Sequence, residues 1–135
     1  MLASSFTEAV HGVGGDGRAG NEQQGRLSYR PATAQDVEEF YGRSPYETLR
    51  AMVILLDGRV AGIIGIARTG YSTRLFSEHR PELEPYLSSV TVWRAVKAAL
   101  RFVDECRSSV YVVSSDPRMM RRLGFEEVSE GLWRN

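Results

Sequence analysis

Met52-Val53-Ile54-Leu55-Leu56-Asp57-Gly58-Arg59-Val60-Ala61-Gly62-Ile63-Ile64-Gly65-Ile66-Ala67 is the stretch whose reading decides the fold. Two apolar runs, Met52 to Leu56 and Val60 to Ala67, flank Asp57 and Gly58, the dipeptide best suited to the positive φ angles of a tight hairpin turn. A pair of antiparallel strands is therefore predicted here. Upstream, Leu27, Tyr29 and Pro31 alternate with polar residues in a short strand that stops at the proline. Thr33 stands three residues before Asp36 in capping-box spacing, and Val37, Phe40 and Tyr41 supply an apolar stripe for a first helix. Ser44, Pro45 and Glu47 follow in the order a helix start prefers, which predicts a second helix running to about Ala51.

Downstream of the hairpin, Ser72 to Ser77 reads as a further strand, and Pro81 and Pro85 impose an irregular loop. A long helix starts near Ser88 or Ser89. In it Val92, Trp93, Val96, Ala99, Leu100, Val103 and Cys106 recur at three- and four-residue steps, so one face meets a sheet. Trp93 and Phe102 read as core or core-edge anchors rather than stacking platforms. Val110 to Val113 is too short and β-branched for a helix and reads as a buried strand, parallel to its predecessor if the helix between them is a right-handed crossover. Asp116 and Pro117 supply the cap and first residue of a last short helix that Gly124 ends. Phe125 to Val128 and Leu132 to Arg134 close the sheet. The predicted order is β-α-α-β-β-β-α-β-α-β-β, a mixed α/β or α+β sheet.

The chain of 135 residues has room for one domain, read as 27–135, preceded by a Gly-rich flexible tail over 1–26 that holds six of the thirteen glycines. Gly12 to Gly17 lacks the strand, Lys and helix of a phosphate loop. His11 beside it reads as a tail residue. Seventeen basic residues cancel seventeen acidic ones, so the global positive field on which non-specific nucleic-acid or membrane binding relies is missing. Sixteen of the seventeen basic residues are Arg, a bias that coding composition explains as readily as function does. Cys106, the only cysteine, excludes an internal disulfide and reads as a small core hydrophobe in a reducing, cytoplasmic setting. No apolar run approaches the ~18 residues of a membrane span.

Three segments carry a family resemblance: Tyr29-Arg30-Pro31-Ala32-Thr33 with Asp36, the hairpin around Asp57 and Gly58, and Met119-Met120-Arg121-Arg122-Leu123-Gly124-Phe125-Glu126. In this order the chain from Leu27 to Asn135 resembles the GNAT superfamily of acyl-coenzyme A N-acyltransferases. The resemblance implies a GNAT-like mixed sheet, acetyl-CoA as acyl donor, and an amine acceptor of unknown identity. It implies coenzyme contacts from Ser77, Arg80, Ser88, Ser89, Ser114 and Asp116. It places Glu78 and His79 where the family deprotonates its amine. The plainer reading of Glu78 and His79 is a solvated strand end, and that of Asp116 a helix cap.

Two departures weaken the likeness. The family's RxxGxG turn, whose backbone amides wrap a pyrophosphate, corresponds here to Arg80-Pro81-Glu82-Leu83-Glu84-Pro85-Tyr86-Leu87-Ser88-Ser89, with no glycine, two prolines and two glutamates. Met120 stands where many members carry the Tyr that protonates the leaving thiolate, and a thioether has no proton to give. A catalytically degenerate GNAT-shaped binding or structural protein is the alternative. Compact members of this kind resemble those of tailed bacteriophages, some of them virion-associated. Arg118, Arg121 and Arg122 form a basic cluster that could meet a coenzyme phosphate, nucleic acid or an acidic partner, or simply the solvent at a helix C-terminus. Leu132 and Trp133 could serve a homodimer or assembly surface as easily as the sheet.

Overall fold

The computed structural model describes residues 26–44, 48–70 and 72–135. Strand β1 (Leu27–Pro31) lies antiparallel to β2 (Thr48–Leu56), which turns into β3 (Arg59–Thr69). The turn residues Asp57 and Gly58 have φ of 53° and 81°, the left-handed geometry that the dipeptide predicted. Strand β4 (Ser72–His79) extends the sheet antiparallel to β3, and β5 (Val110–Val113) runs parallel to β4. With β6 (Glu126–Ser129) and β7 (Leu132–Arg134) the sheet has seven strands in the order β1-β2-β3-β4-β5-β7-β6, mostly antiparallel. The architecture is mixed α+β.

Period-two alternation gives this sheet two apolar faces. Met52, Ile54, Ile64, Ile66 and Leu75 pack beneath Val92, Ala95, Val96, Ala99 and Val103 of the long helix α2 (Val90–Glu105). Val53, Leu55, Ile63 and Phe76 face the other way, towards Val37 of α1 (Ala34–Tyr41). The short helix α3 (Pro117–Arg122) adds Met120 to the α2 side, where Trp133 and Phe125 join the same core. A 3-10 helix, Pro81–Tyr86, links β4 to α2.

Local signals set the helix ends. Thr33 and Asp36 form the reciprocal capping box, and Asp36 also takes a two-pronged ion pair from Arg30. That pair and the two Thr33 contacts hold the Asp36 carboxyl down at about 2. Ser89 caps α2 by accepting from the Val92 amide at 3.2 Å, and Asp116 caps α3 by accepting from the Met119 amide at 3.1 Å. Gly124, at φ 87°, lets the chain leave α3 for β6. Gly65 is required by close approach: a Cβ there would sit 2.2 Å from the Arg50 carbonyl oxygen, inside contact distance of the neighbouring strand.

Three expectations are corrected. The second helix does not form over Thr48–Ala51, because these residues begin β2, paired with Arg68 to Gly65 of β3. Sheet hydrogen bonds override a local helix-start signal. The start of that predicted helix, at Pro45 to Glu47, lies outside the described residues, as do the Gly-rich stretch to Gly25 and His11. Arg26 belongs with the folded part rather than the tail: its carbonyl accepts from the Asp57 amide, and its guanidinium pairs with Asp57 at 2.7 Å. Strands β3 and β4 also run two residues further than the apolar pattern alone suggested.

Cys106 ends α2 half-buried at the core edge. Trp93 and Phe102 pack against the core as partly buried residues. No helix among the described residues is long and apolar enough to cross a membrane.

Candidate functional site at the parting of β4 and β5

β4 and β5 are joined at two residue pairs, Thr73 with Val110 and Arg74 with Tyr111. Beyond these, β5 continues through Val113 paired only to β7, while β4 continues through His79 paired only to β3. The two parallel strands therefore part over the C-terminal half of β4, ahead of the start of α2. Ser77, Glu78 and His79 all lie on this stretch.

Alternation sends the three side chains to different places. Ser77 and His79 point to the α2 face with Leu75, and Glu78 points with Phe76 to the α1 face. Glu78 accepts a hydrogen bond from the Tyr41 hydroxyl at 2.6 Å, which fixes the carboxylate against α1. His79 has a side chain only 9% exposed, with Nε2 3.6 Å from a Glu84 carboxylate oxygen. The two residues are thus neighbours in sequence whose side chains lie on opposite faces of the sheet. Ser77, His79, Leu83, Leu87 and Val96 bound a cavity of about 10 Å³, room for roughly one water molecule.

The segment leading to α2 does not offer a pyrophosphate cradle. Its 3-10 turns consume backbone donors, since Leu83, Leu87 and Ser89 donate to Arg80, Glu84 and Tyr86 carbonyls. Pro81 and Pro85 have no N–H, and the exposed Glu82 and Glu84 carry the wrong charge. Leu83 is fully buried, so this segment is pinned to the sheet. A Cβ added at Gly62 would meet Leu83 Cδ2 at 2.7 Å, which shows how closely β3 and the 3-10 helix approach. Arg80 is turned to the α1 side, where it donates to the Glu39 carbonyl and lies 5.2 Å from the Phe40 ring centre. That separates it from Ser88 and Ser89. Helix geometry leaves the amides of Val90 and Thr91 at the start of α2, enough for one anionic group and too few for two phosphates.

Ser114 and Asp116 follow β5 and take part in local structural hydrogen bonds. Ser114 Oγ accepts from the Asp116 amide at 3.1 Å, and its carbonyl accepts from Trp133 Nε1 at 3.3 Å. Met120 is fully buried. On α3, Arg118, Arg121 and Arg122 are exposed, and Arg121 lies 5.7 Å from the Trp133 ring centre.

The structure thus gathers Ser77, Glu78 and His79 at one strand end and sets Ser88 and Ser89 at the α2 start, while Arg80 turns away. Sequence reasoning missed Tyr41 as a polar partner, because it read that residue only as part of an apolar stripe. Among the described residues, no group of three His, Cys, Asp or Glu is placed to hold a metal ion. Neither a protein-family model nor a curated protein matches the chain.

Proposed function

We propose that this chain is a GNAT-like domain that receives the pantetheine arm of acetyl-CoA where β4 and β5 part and supports transfer of the acetyl group to an amine. The observation that carries this reading is the limited pairing of the two parallel strands, two residue pairs followed by separation. Glu78, held by Tyr41, is the group positioned to accept a proton from an attacking amine. Val90 and Thr91 amides would take one anionic group of the coenzyme, so the remaining phosphate lies outside any backbone cradle. Most of the rate enhancement then comes from positioning and from hydrogen bonding to the developing oxyanion.

A second reading is favoured by a different observation, the buried Leu83 and Met120 at the places where the family keeps a glycine turn and a tyrosine. On that reading the chain is a catalytically degenerate GNAT-shaped binding or structural protein, and association with a phage virion belongs to it. One experiment separates the two. Acetyl-CoA at 100 times its dissociation constant stabilises by about 2.7 kcal/mol, which moves the thermal midpoint of a domain this size by several degrees. A shift accompanied by acetyl turnover on a panel of amines, falling about a hundredfold in Glu78→Gln, supports the transferase. A flat thermal profile at millimolar acetyl-CoA removes it, and a shift without turnover leaves only binding.

A further inference from the structure

A second concavity lies at the other end of the α2 face, away from the β4–β5 opening. The strand register builds it. Thr48 pairs with Arg68, and Arg68 pairs with Thr73, so these three residues form one cross-strand row. Arg50 and Ile66 form a paired row two residues further along the same face. Helix α2 stops at Glu105, and beside the row of Thr48, Arg68 and Thr73 the described residues that line the space are Cys106, Arg107 and Ser108. The result is a cavity of about 430 Å³, open to solvent.

Three arginines, Arg50, Arg68 and Arg107, line this cavity. Arg50 is held at its rim by Glu105 at 2.8 Å and by the Phe102 ring, whose centre is 4.4 Å from the guanidinium carbon. The Arg68 and Arg107 side chains are exposed and make no ion pair or side-chain hydrogen bond among the described residues. Among the described residues, Glu105 and the negative end of α2, equivalent to about half a charge, offset about half of the three positive charges. A concave basin with a net positive balance focuses its field on an anion, and the hydroxyl-bearing Thr48, Thr73 and Ser108 line the same space. Planar guanidiniums match the oxygens of a phosphate two at a time, and a lysine would not.

We propose that this cavity is a binding site for a small phosphate-bearing ligand, gripped by Arg68 and Arg107 with Arg50 fixed at the rim. It is independent of the acyl-transfer reading, because it shares no residue with the β4–β5 opening. The probes are inorganic phosphate and pyrophosphate, titrated into the full chain at constant ionic strength against chloride and followed by backbone amide NMR. Saturable changes are expected at Arg68, Thr73, Arg107 and Ser108, with binding weakened at least about tenfold in Arg68→Gln and in Arg107→Gln, the loss expected for a charge-assisted bond. Arg68→Lys should fall between Arg68→Gln and the parent.

Both arginines are exposed, so the thermal midpoints of these variants should match the parent, and a lost response then reads as lost binding. Equal response to chloride, changes confined to Val90 and Thr91, or parental affinity in both glutamine variants overturns the proposal. Binding of a phosphoserine peptide when free phosphate and pyrophosphate do not bind overturns the small-ligand assignment in favour of a protein partner.

Discussion

The two ends of the face covered by α2 are built from the same three strands and differ in almost every physical respect. At the C-terminal end of β4, Leu83 and Leu87 come down on Ser77 and His79 and leave about 10 Å³. At the N-terminal end of β4, the same sheet leaves about 430 Å³ beside three arginines. The first lies beside the β4 residues to which the resemblance directs attention, and its cavity is closed by apolar side chains of β2, β3, the 3-10 segment and α2, with no β5 residue among the described ones lining it. The second was marked by no motif, and it is open and charged. Space and charge go together here because α2 is long enough to roof the first end and too short to roof the second.

The contrast is most directly broken by truncating the plug. Leu83→Ala is expected to cost about 3 kcal/mol, as fully buried leucines do, measured by denaturant unfolding. The same variant enlarges the space near His79, so acetyl-CoA affinity should rise if the arm passes there. A cost below about 1 kcal/mol would mean that Leu83 does not close that end.

Acid offers the next largest effect, on the opposite face of the sheet. The folded-state pKa of Asp36, about 2, lies below the ordinary carboxylate value of 3.8, so its stabilisation is complete above pH 3.8 and is lost as pH falls through 2. Because the Arg30 side chain is about half exposed, the amount is discounted to about 1–2 kcal/mol. Asp36→Asn should lower stability at neutral pH by about this amount and flatten the acid limb of the unfolding profile. An unchanged profile would show that the pair contributes nothing to folding. The smallest effect is expected from Gly62→Ala, where the added methyl meets the end of a flexible leucine rather than backbone. About 1 kcal/mol and a displaced Leu83 are expected, read by unfolding and by amide shifts across Pro81–Tyr86.

Legibility followed sequence distance. The Asp57-Gly58 turn, the Thr33–Asp36 box and the Ser89 and Asp116 caps were readable because each is decided within a few residues. The second helix was misread for the same reason: Ser44, Pro45 and Glu47 are a sound local start, but Thr48 to Ala51 are claimed by β3 partners fourteen or more residues away. Of the candidate site, the strand carrying Ser77 to His79 was legible. The bond from Tyr41 to Glu78 spans 37 positions and was not. The arginine cavity was least legible, since Thr48, Arg68 and Thr73 meet only through a register that no single segment encodes. An Arg two residues after Thr48, with Arg68 two after Ile66, is a faint period-two trace of it.

The two-rung seam between β4 and β5 has a mechanical consequence. The hydrogen-bonded plates on either side, β1 to β4 and β5 to β7, are joined by these two pairs alone among the described residues, so the side chains of α2 and Trp133 packed beneath them help to set their relative tilt. Anything that repacks those wedges changes the dihedral between the plates without breaking a ladder within either one.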